Sequence, residues 1–264
     1  MYNFNYHCPS SLQEAESLYA KSEDPMFLAG GHTLLPTMKQ RLNAPTDLID
    51  LAGLTELAGI SREGDVLQIG AYTRHADVAA SELVQTAIPA LAKLARGIGD
   101  TQVRNRGTIG GSVANNDPAA DYPAALLGLG ATVVTTKRSV PADEFFVDMF
   151  ETVLEEGEII TAVTFPVKGD AEYIKFANPA SRYATVGVFI NRHNDGVRVA
   201  ITGAASSVFR CSEYEAALSS SFTESALEGI TLRTDNFNED LHASVDYRAN
   251  LCAVIAKRVI VSMA

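Results

Sequence analysis

Apolar residues recur at helical spacing at Leu12, Ala15, Leu18 and Tyr19, directly behind a Ser11–Glu14 capping box. The chain is therefore predicted to open with a packing helix. The apolar run Met26 to Ala29 reads as a strand, and Leu34 to Arg41 as a short helix that tolerates Pro36 in its first turn. Asp47 to Leu51 and Val66 to Ala71 read as strands, the second following a Glu63-Gly64-Asp65 turn. Thr73 is predicted to cap a helix through Ala80. A further helix over Ala87 to Gly97 places Ile88, Leu91, Leu94 and Ala95 on one side, and Gly97 and Gly99 close it. The central stretch Gln102 to Tyr122 begins polar and basic, tightens into a loop at Gly107–Ser112 and runs through the turn formers Asn115 to Pro118. An apolar helix Tyr122 to Leu129 and a strand Ala131 to Thr135 follow.

After Pro166, the segment Lys168–Ala171 marks a plausible boundary. Strands are predicted at Tyr173 to Ala177, Thr185 to Arg192 and Val197 to Ala204, the last two joined as a hairpin across His193–Gly196. Helices are predicted at Ser212 to Leu218, Thr223 to Gly229 and Asp246 to Met263, with an irregular polar stretch at Arg233 to Asn238. Strands followed by helices, without a regular sandwich pattern, give an α+β class with two domains. The boundaries fall at 1–167, itself divided near residue 53 into 1–53 and 54–167, and at 168–264.

Composition narrows the function. At 264 residues, 47% hydrophobic and 20% charged, this is the make-up of an ordinary globular protein with room for a sizeable core. A net charge of −11 argues against nucleic acid or an anionic membrane as the main partner. No apolar run is long enough to span a bilayer and the start lacks a signal-peptide pattern, so cytoplasmic residence is the expectation. Cys8, Cys211 and Cys252 are far apart and form no C-x-x-C pair, so an iron–sulfur cluster would have to sit on another chain. His7 beside Cys8 is expected to be structural, and no histidine pair has H-x-x-x-H spacing.

The chemistry concentrates in two glycine pairs. Gly30 and Gly31 lie in Leu28-Ala29-Gly-Gly-His32-Thr33-Leu34, and Gly110 and Gly111 in Thr108-Ile109-Gly-Gly-Ser112. Paired glycines let backbone approach a ligand and let successive amides face one concavity, which is how uncharged peptide binds phosphate. A helix start beyond Thr33 would favour an anion further. Neither loop matches the dinucleotide fingerprint or the Walker pattern. Singly each is a turn; together, each flanked by hydroxyl residues, they suit the two walls of a pyrophosphate site. Asp121 suits either sugar-like hydroxyls or a helix cap. Arg104 and Arg106 suit a phosphate, a neighbouring subunit or, as the better reading, a structural ion pair.

These loops, with the strings LIDLAGLTELAGI, LQIGAYTRHADV, QVRNRGTIGGSVANNDPAADYPAALLGLGA, EIITAVTFP, ASRYATVGV and YRANLCAVIAKRVI, resemble the flavin-binding medium subunit of the molybdenum hydroxylases. That group includes carbon monoxide dehydrogenase and xanthine dehydrogenase. The resemblance spans nearly the whole chain. It implies an FAD-binding domain with two α+β subdomains, like that of p-cresol methylhydroxylase and vanillyl-alcohol oxidase, followed by a domain made of a small antiparallel sheet backed by helices. It also implies dissociable FAD held between Leu28 to Leu34 and Thr108 to Ser112, with Asn115 adjoining, Asp121 at the ribityl chain and Tyr183 near the isoalloxazine ring. In covalent oxidases of the wider fold a histidine like His32 is joined to the flavin, so that alternative stays open. The molybdenum cofactor and [2Fe-2S] clusters are implied only on a large and a small partner subunit, in a dimer of heterotrimers. The chain then transfers electrons and needs no catalytic acid–base pair. Two competing classes are a stand-alone flavin oxidoreductase and a scaffold that has lost FAD.

Overall fold

The computed structural model describes residues 1–264, which form four sheets and eleven α-helices. The first unit alternates β1 (Asn5–His7), α1 (Leu12–Lys21), β2 (Pro25–Leu28), α2 (Leu34–Lys39) and β3 (Asp47–Asp50). Its strands run parallel in the order β1-β3-β2. Ser11 caps α1 by accepting from the Glu14 amide, while the Glu14 carboxylate reaches back to Ser10. Ala15, Ile49, Leu51, Leu54 and Leu57 bury a small core here.

The second unit comprises β4 (Ile60–Glu63), β5 (Val66–Gly70), α3 (His75–Ala80), α4 (Glu82–Ala87), α5 (Pro89–Arg96), α6 (Thr101–Arg104), α7 (Ile109–Asn115), α8 (Tyr122–Leu129), β6 (Thr132–Thr135), β7 (Ser139–Pro141), α9 (Ala142–Phe145), the small hairpin β8 (Phe146–Asp148) and β9 (Glu151–Thr152), and β10 (Ile160–Pro166). The late strand β10 inserts between β5 and β6 to give an antiparallel order β4-β5-β10-β6-β7. Thr73 does not cap α3: Arg74 holds the N-cap position, and the Thr73 hydroxyl instead bonds both the amide and the carbonyl of Gly59. The helix expected over Ala87 to Gly97 begins at Pro89, which ends α4 and starts α5 with its fixed φ.

The third unit is the antiparallel sheet β11 (Asp170–Ala177), β12 (Ala184–His193), β13 (Gly196–Thr202) and β14 (Phe209–Arg210), covered by α10 (Ser212–Ser220) and α11 (Val245–Ser262). The hairpin across 193–196 forms as expected, with His193 paired to Gly196. The helix expected at Thr223 to Gly229 is only a short 3-10 turn, Glu224–Leu227.

Helix α8 is apolar on every side and all eight of its residues are buried. It is a core helix between the second and third sheets. Gly128 lies against the Phe189 ring where a Cβ would collide, and the main core includes Tyr173, Phe189 and Ala200 of the third sheet.

Candidate functional site

The two glycine loops touch. A Cβ on Gly30 would collide with the Arg106 carbonyl and lie 2.7 Å from Gly107 Cα, and one on Gly111 would stand 3.9 Å from Ala29 Cβ. Only bare backbone fits at position 30, so that glycine is needed for close approach, whereas Gly111 stands at ordinary contact distance from Ala29. Gly31, at φ 74°, also turns the chain in the left-handed region.

The loops differ in what they offer a ligand. The amides of Gly30, Gly31, His32, Thr33 and Leu34 donate to no protein acceptor, so five successive N–H groups are free at the turn into α2. That run of free donors fits an anionic, phosphate-like group. The second stretch, expected to be a tight loop, is instead the first turn of α7. Thr108 caps it, its hydroxyl accepting from the Gly111 amide at 3.2 Å. The Ile109, Gly110 and Ser112 amides are taken by the carbonyls of Thr73, Ala71 and Thr108. Gly110 lets α7 lie on β5, since a Cβ there would sit 2.6 Å from Ala71 Cβ. Ile109, Gly110 and Val113 face inward, while Gly111, Ser112 and Asn115 form the more open face.

Beyond α7, Asn116 adopts a left-handed turn at φ 41° and the 117–121 segment docks on the third sheet. Thr202 donates its hydroxyl to the Pro118 and Ala120 carbonyls, and the Ala184 amide bonds the Ala119 carbonyl. This places Tyr183 beside the same segment. The residue is 43% exposed, its hydroxyl has no protein partner, and partial burial together with the nearby Asp117 and Asp121 carboxylates raises its pKa. The turn carrying it is fixed by Arg182, at φ 63°, whose guanidinium donates to the Gly99 carbonyl.

Asp121 is buried. One oxygen accepts from the Tyr173 hydroxyl and the other from Lys175 Nζ at 2.8 Å. Burial pushes its pKa upward and Lys175 opposes that rise. It makes no helix-cap bond to α8, so the capping reading falls. Lys175 and Tyr173 were not singled out in the sequence, although their i, i+2 spacing on a strand puts both on one face.

His32 and Thr33 are exposed at the mouth of the first loop. Behind the junction His75 is buried against Gly107. Burial lowers its pKa to about 4, with His32 and Arg104 adding to the effect. Arg104 donates to the Ile98 and Gly99 carbonyls, and the exposed Arg106 guanidinium makes no hydrogen bond or ion pair, so neither makes the expected structural ion pair. His7 is structural as expected, bonded to Asp47 at 2.7 Å, and no cluster of metal-ligating side chains is present.

Residues 2–168 match the family described as FAD binding domain in molybdopterin dehydrogenase. The chain is 35% identical to the carbon monoxide dehydrogenase medium chain of Hydrogenophaga pseudoflava, over 97% of this chain and 96% of that one. It is 34% identical to the nicotine 6-hydroxylase medium subunit of Paenarthrobacter nicotinovorans, over 97% and 95%. The solved carbon monoxide dehydrogenase from Hydrogenophaga pseudoflava that lacks the Mo-pyranopterin moiety superposes with TM-score 0.90 at 36% identity, covering 99% of this chain and 97% of that one. The chain belongs to the FAD-binding medium subunits of the molybdenum hydroxylases, the family of carbon monoxide and xanthine dehydrogenases.

Proposed function

We propose that this chain carries electrons through a bound, dissociable FAD, between a small iron–sulfur subunit and an external acceptor, while a large molybdenum subunit oxidises the substrate. The observation that carries the reading is the run of free amides from Gly30 to Leu34, pressed against the Arg106–Gly107 turn. FAD, when bound, supplies chemistry that changes by one or two electrons, which suits a junction between single-electron clusters and a two-electron acceptor.

The chain's own residues bind and orient. The free amides would hold the pyrophosphate, with Ser112 and Asn115 on the open face of α7 as the polar wall opposite, buried Thr108 fixing the start of that helix, and Arg106 as an unpaired cation nearby. Tyr183, with its ring half-open, would lie along the flavin ring. Asp121, whose oxygens are engaged, would serve the ribityl chain partly by fixing Lys175 at that point. His32 is read as a loop residue, not a covalent anchor; no side chain in this site is needed as a catalytic acid or base. The unit spanning 1–167, divided near residue 53, would cradle FAD as in p-cresol methylhydroxylase-like folds, and 168–264 would close over it. Assembly as a dimer of heterotrimers in the cytoplasm completes the reading. No helix here is long and apolar enough to cross a membrane.

The test is purification of the tagged chain from its native host, with molybdenum, iron and FAD quantified. The expected outcome is all three, with one larger and one smaller chain. FAD on a solitary chain would favour a stand-alone flavoenzyme, and a colourless chain that takes up no flavin would mean a scaffold. Mass analysis of the denatured protein should show no added FAD.

A further inference from the structure

The turn between β8 and β9 breaks two ordinary expectations at once. A two-residue hairpin usually places glycine or asparagine where φ is positive. Here the loop is Met149-Phe150, and Phe150 has φ 57°. A bulky aromatic in that region is an outlier that persists only where its surroundings impose it. The ring also gains little burial, because Phe150 is 57% exposed, with Val147 at 52% and Met149 at 47% beside it. The pairing register shifts between Phe146 and Asp148, so Phe146 packs on the main core while Val147 stands unpaired between them and is exposed together with the turn.

The conformation is imposed by Asn116. This buried residue, itself left-handed at φ 41°, accepts from the Phe150 amide through its carbonyl. Its Nδ2 donates to the Asp148 and Glu151 carbonyls, both at 2.8 Å. The brace therefore spans both strands of the hairpin, and it follows directly on α7 of the candidate flavin site. A rigid scaffold is holding apolar side chains out into solvent.

The rim of the patch is acidic. Glu144 and Glu151 are exposed and make no ion pair, and Asp148 adds a third carboxylate at the tip. Exposed apolar side chains ringed by charge mark a protein–protein contact. A basic rim on the partner is what these carboxylates would complement.

We propose that the 146–152 hairpin is a docking surface for a partner subunit of the complex, one that presents an apolar recess bordered by lysine and arginine. This rests on the functional reading above only in requiring that partner subunits exist. Asn116 makes the same contact a mechanical neighbour of the cofactor site, so docking and cofactor geometry share one rigid segment.

The experiment uses the full tagged chain in its native host. One variant combines Val147→Ser, Met149→Ser and Phe150→Asn, the last suited to positive φ and so not expected to harm folding. Captured partner subunits should fall at least tenfold, while FAD uptake and the thermal midpoint of the isolated chain do not fall. A second variant, Glu144→Gln with Glu151→Gln, should weaken capture at low salt and flatten its dependence on ionic strength. Wild-type capture that both variants retain would overturn this inference alone. Capture unchanged, with self-association of the isolated chain abolished by the triple variant, would overturn it in favour of a second copy as occupant. A wild-type chain that captures no subunits would overturn the functional reading and this inference with it.

Discussion

His75 is the side chain whose ionisation the fold opposes most plainly. It is buried behind the glycine junction with Nδ1 unpartnered, and burial brings its pKa to about 4 from 6.5. The folded state therefore declines a proton that the unfolded chain accepts. Its contribution to stability is complete above pH 6.5 and is lost as pH falls through that value toward 4, on the order of 3 kcal/mol in all. Urea titrations at pH 7 and pH 5 should show His75→Leu losing about 2 kcal/mol less than wild type across that interval. Equal losses would show that the imidazole titrates normally. Lys175 poses the complementary case. Its ion pair with Asp121 is nearly closed to solvent, so Lys175→Met strands a carboxylate in the interior and should cost about 3 kcal/mol at neutral pH. The cost should shrink on acidification, as Asp121 takes up a proton, and adding Asp121→Asn should recover part of it. A Lys175→Met cost that did not change with pH would show that lost packing, not the stranded charge, is responsible. The importance of Asp121 was legible from its place before an apolar helix. Its partners were not, because Tyr173 and Lys175 lie 52 and 54 residues further on and meet it only through the packing of α8 on the third sheet.

At the scale of elements, the two glycine pairs looked alike in sequence and do different work. The first keeps its amides free, whereas the second spends them on a helix start, and the difference lies in what each packs against. Two glycines disfavour helix by about 1 kcal/mol each, so a loop was the natural reading of Gly107–Ser112. Tertiary contact overrides that preference: α7 must lie on β5, and only glycine at position 110 allows it. The Thr108 cap was the available signal, since a threonine hydroxyl reaches the amide three residues on. Gly110→Ala should consequently act first on the fold. We expect a loss of about 1–3 kcal/mol in urea, with the slope unchanged and flavin binding weakened only as a result. Gly31→Ala instead meets the flexible end of Leu35 at 2.8 Å and a left-handed φ. It should lower flavin occupancy for a stability cost nearer 1 kcal/mol. The same occupancy loss per kcal/mol in both variants would remove the distinction. Elements with strong local periodicity, such as α1, α11 and the β12–β13 hairpin, were legible because their own sequence settles them. The hairpin at 146–152 was not, since a Met-Phe turn carries no turn signal and is fixed from outside by Asn116.

The whole molecule is bound together by α8. A helix that is apolar on all sides cannot rest on one layer, and here the second sheet covers one side and the third sheet another. Phe189 fills the notch at Gly128, Arg198 reaches from β13 to the Leu127 carbonyl at 2.8 Å, and Lys175 closes on Asp121 at the helix start. Three contacts of different kind thus cross the boundary near residue 168 along one helix. The family match ends at residue 168, but the core does not. Removing 168–264 would uncover the face of α8 that carries Ala124, Ala125 and Gly128 and leave the Asp121 carboxylate without Tyr173 or Lys175. The chain should accordingly unfold as one cooperative unit, with near- and far-ultraviolet circular dichroism reporting the same midpoint. A fragment ending at Val167 should keep helical signal yet bind hydrophobic dye and lack a sharp thermal transition. Two separated transitions in the full chain, or a fragment that melts sharply and takes up FAD, would show instead that the two parts fold alone and that α8 only joins them.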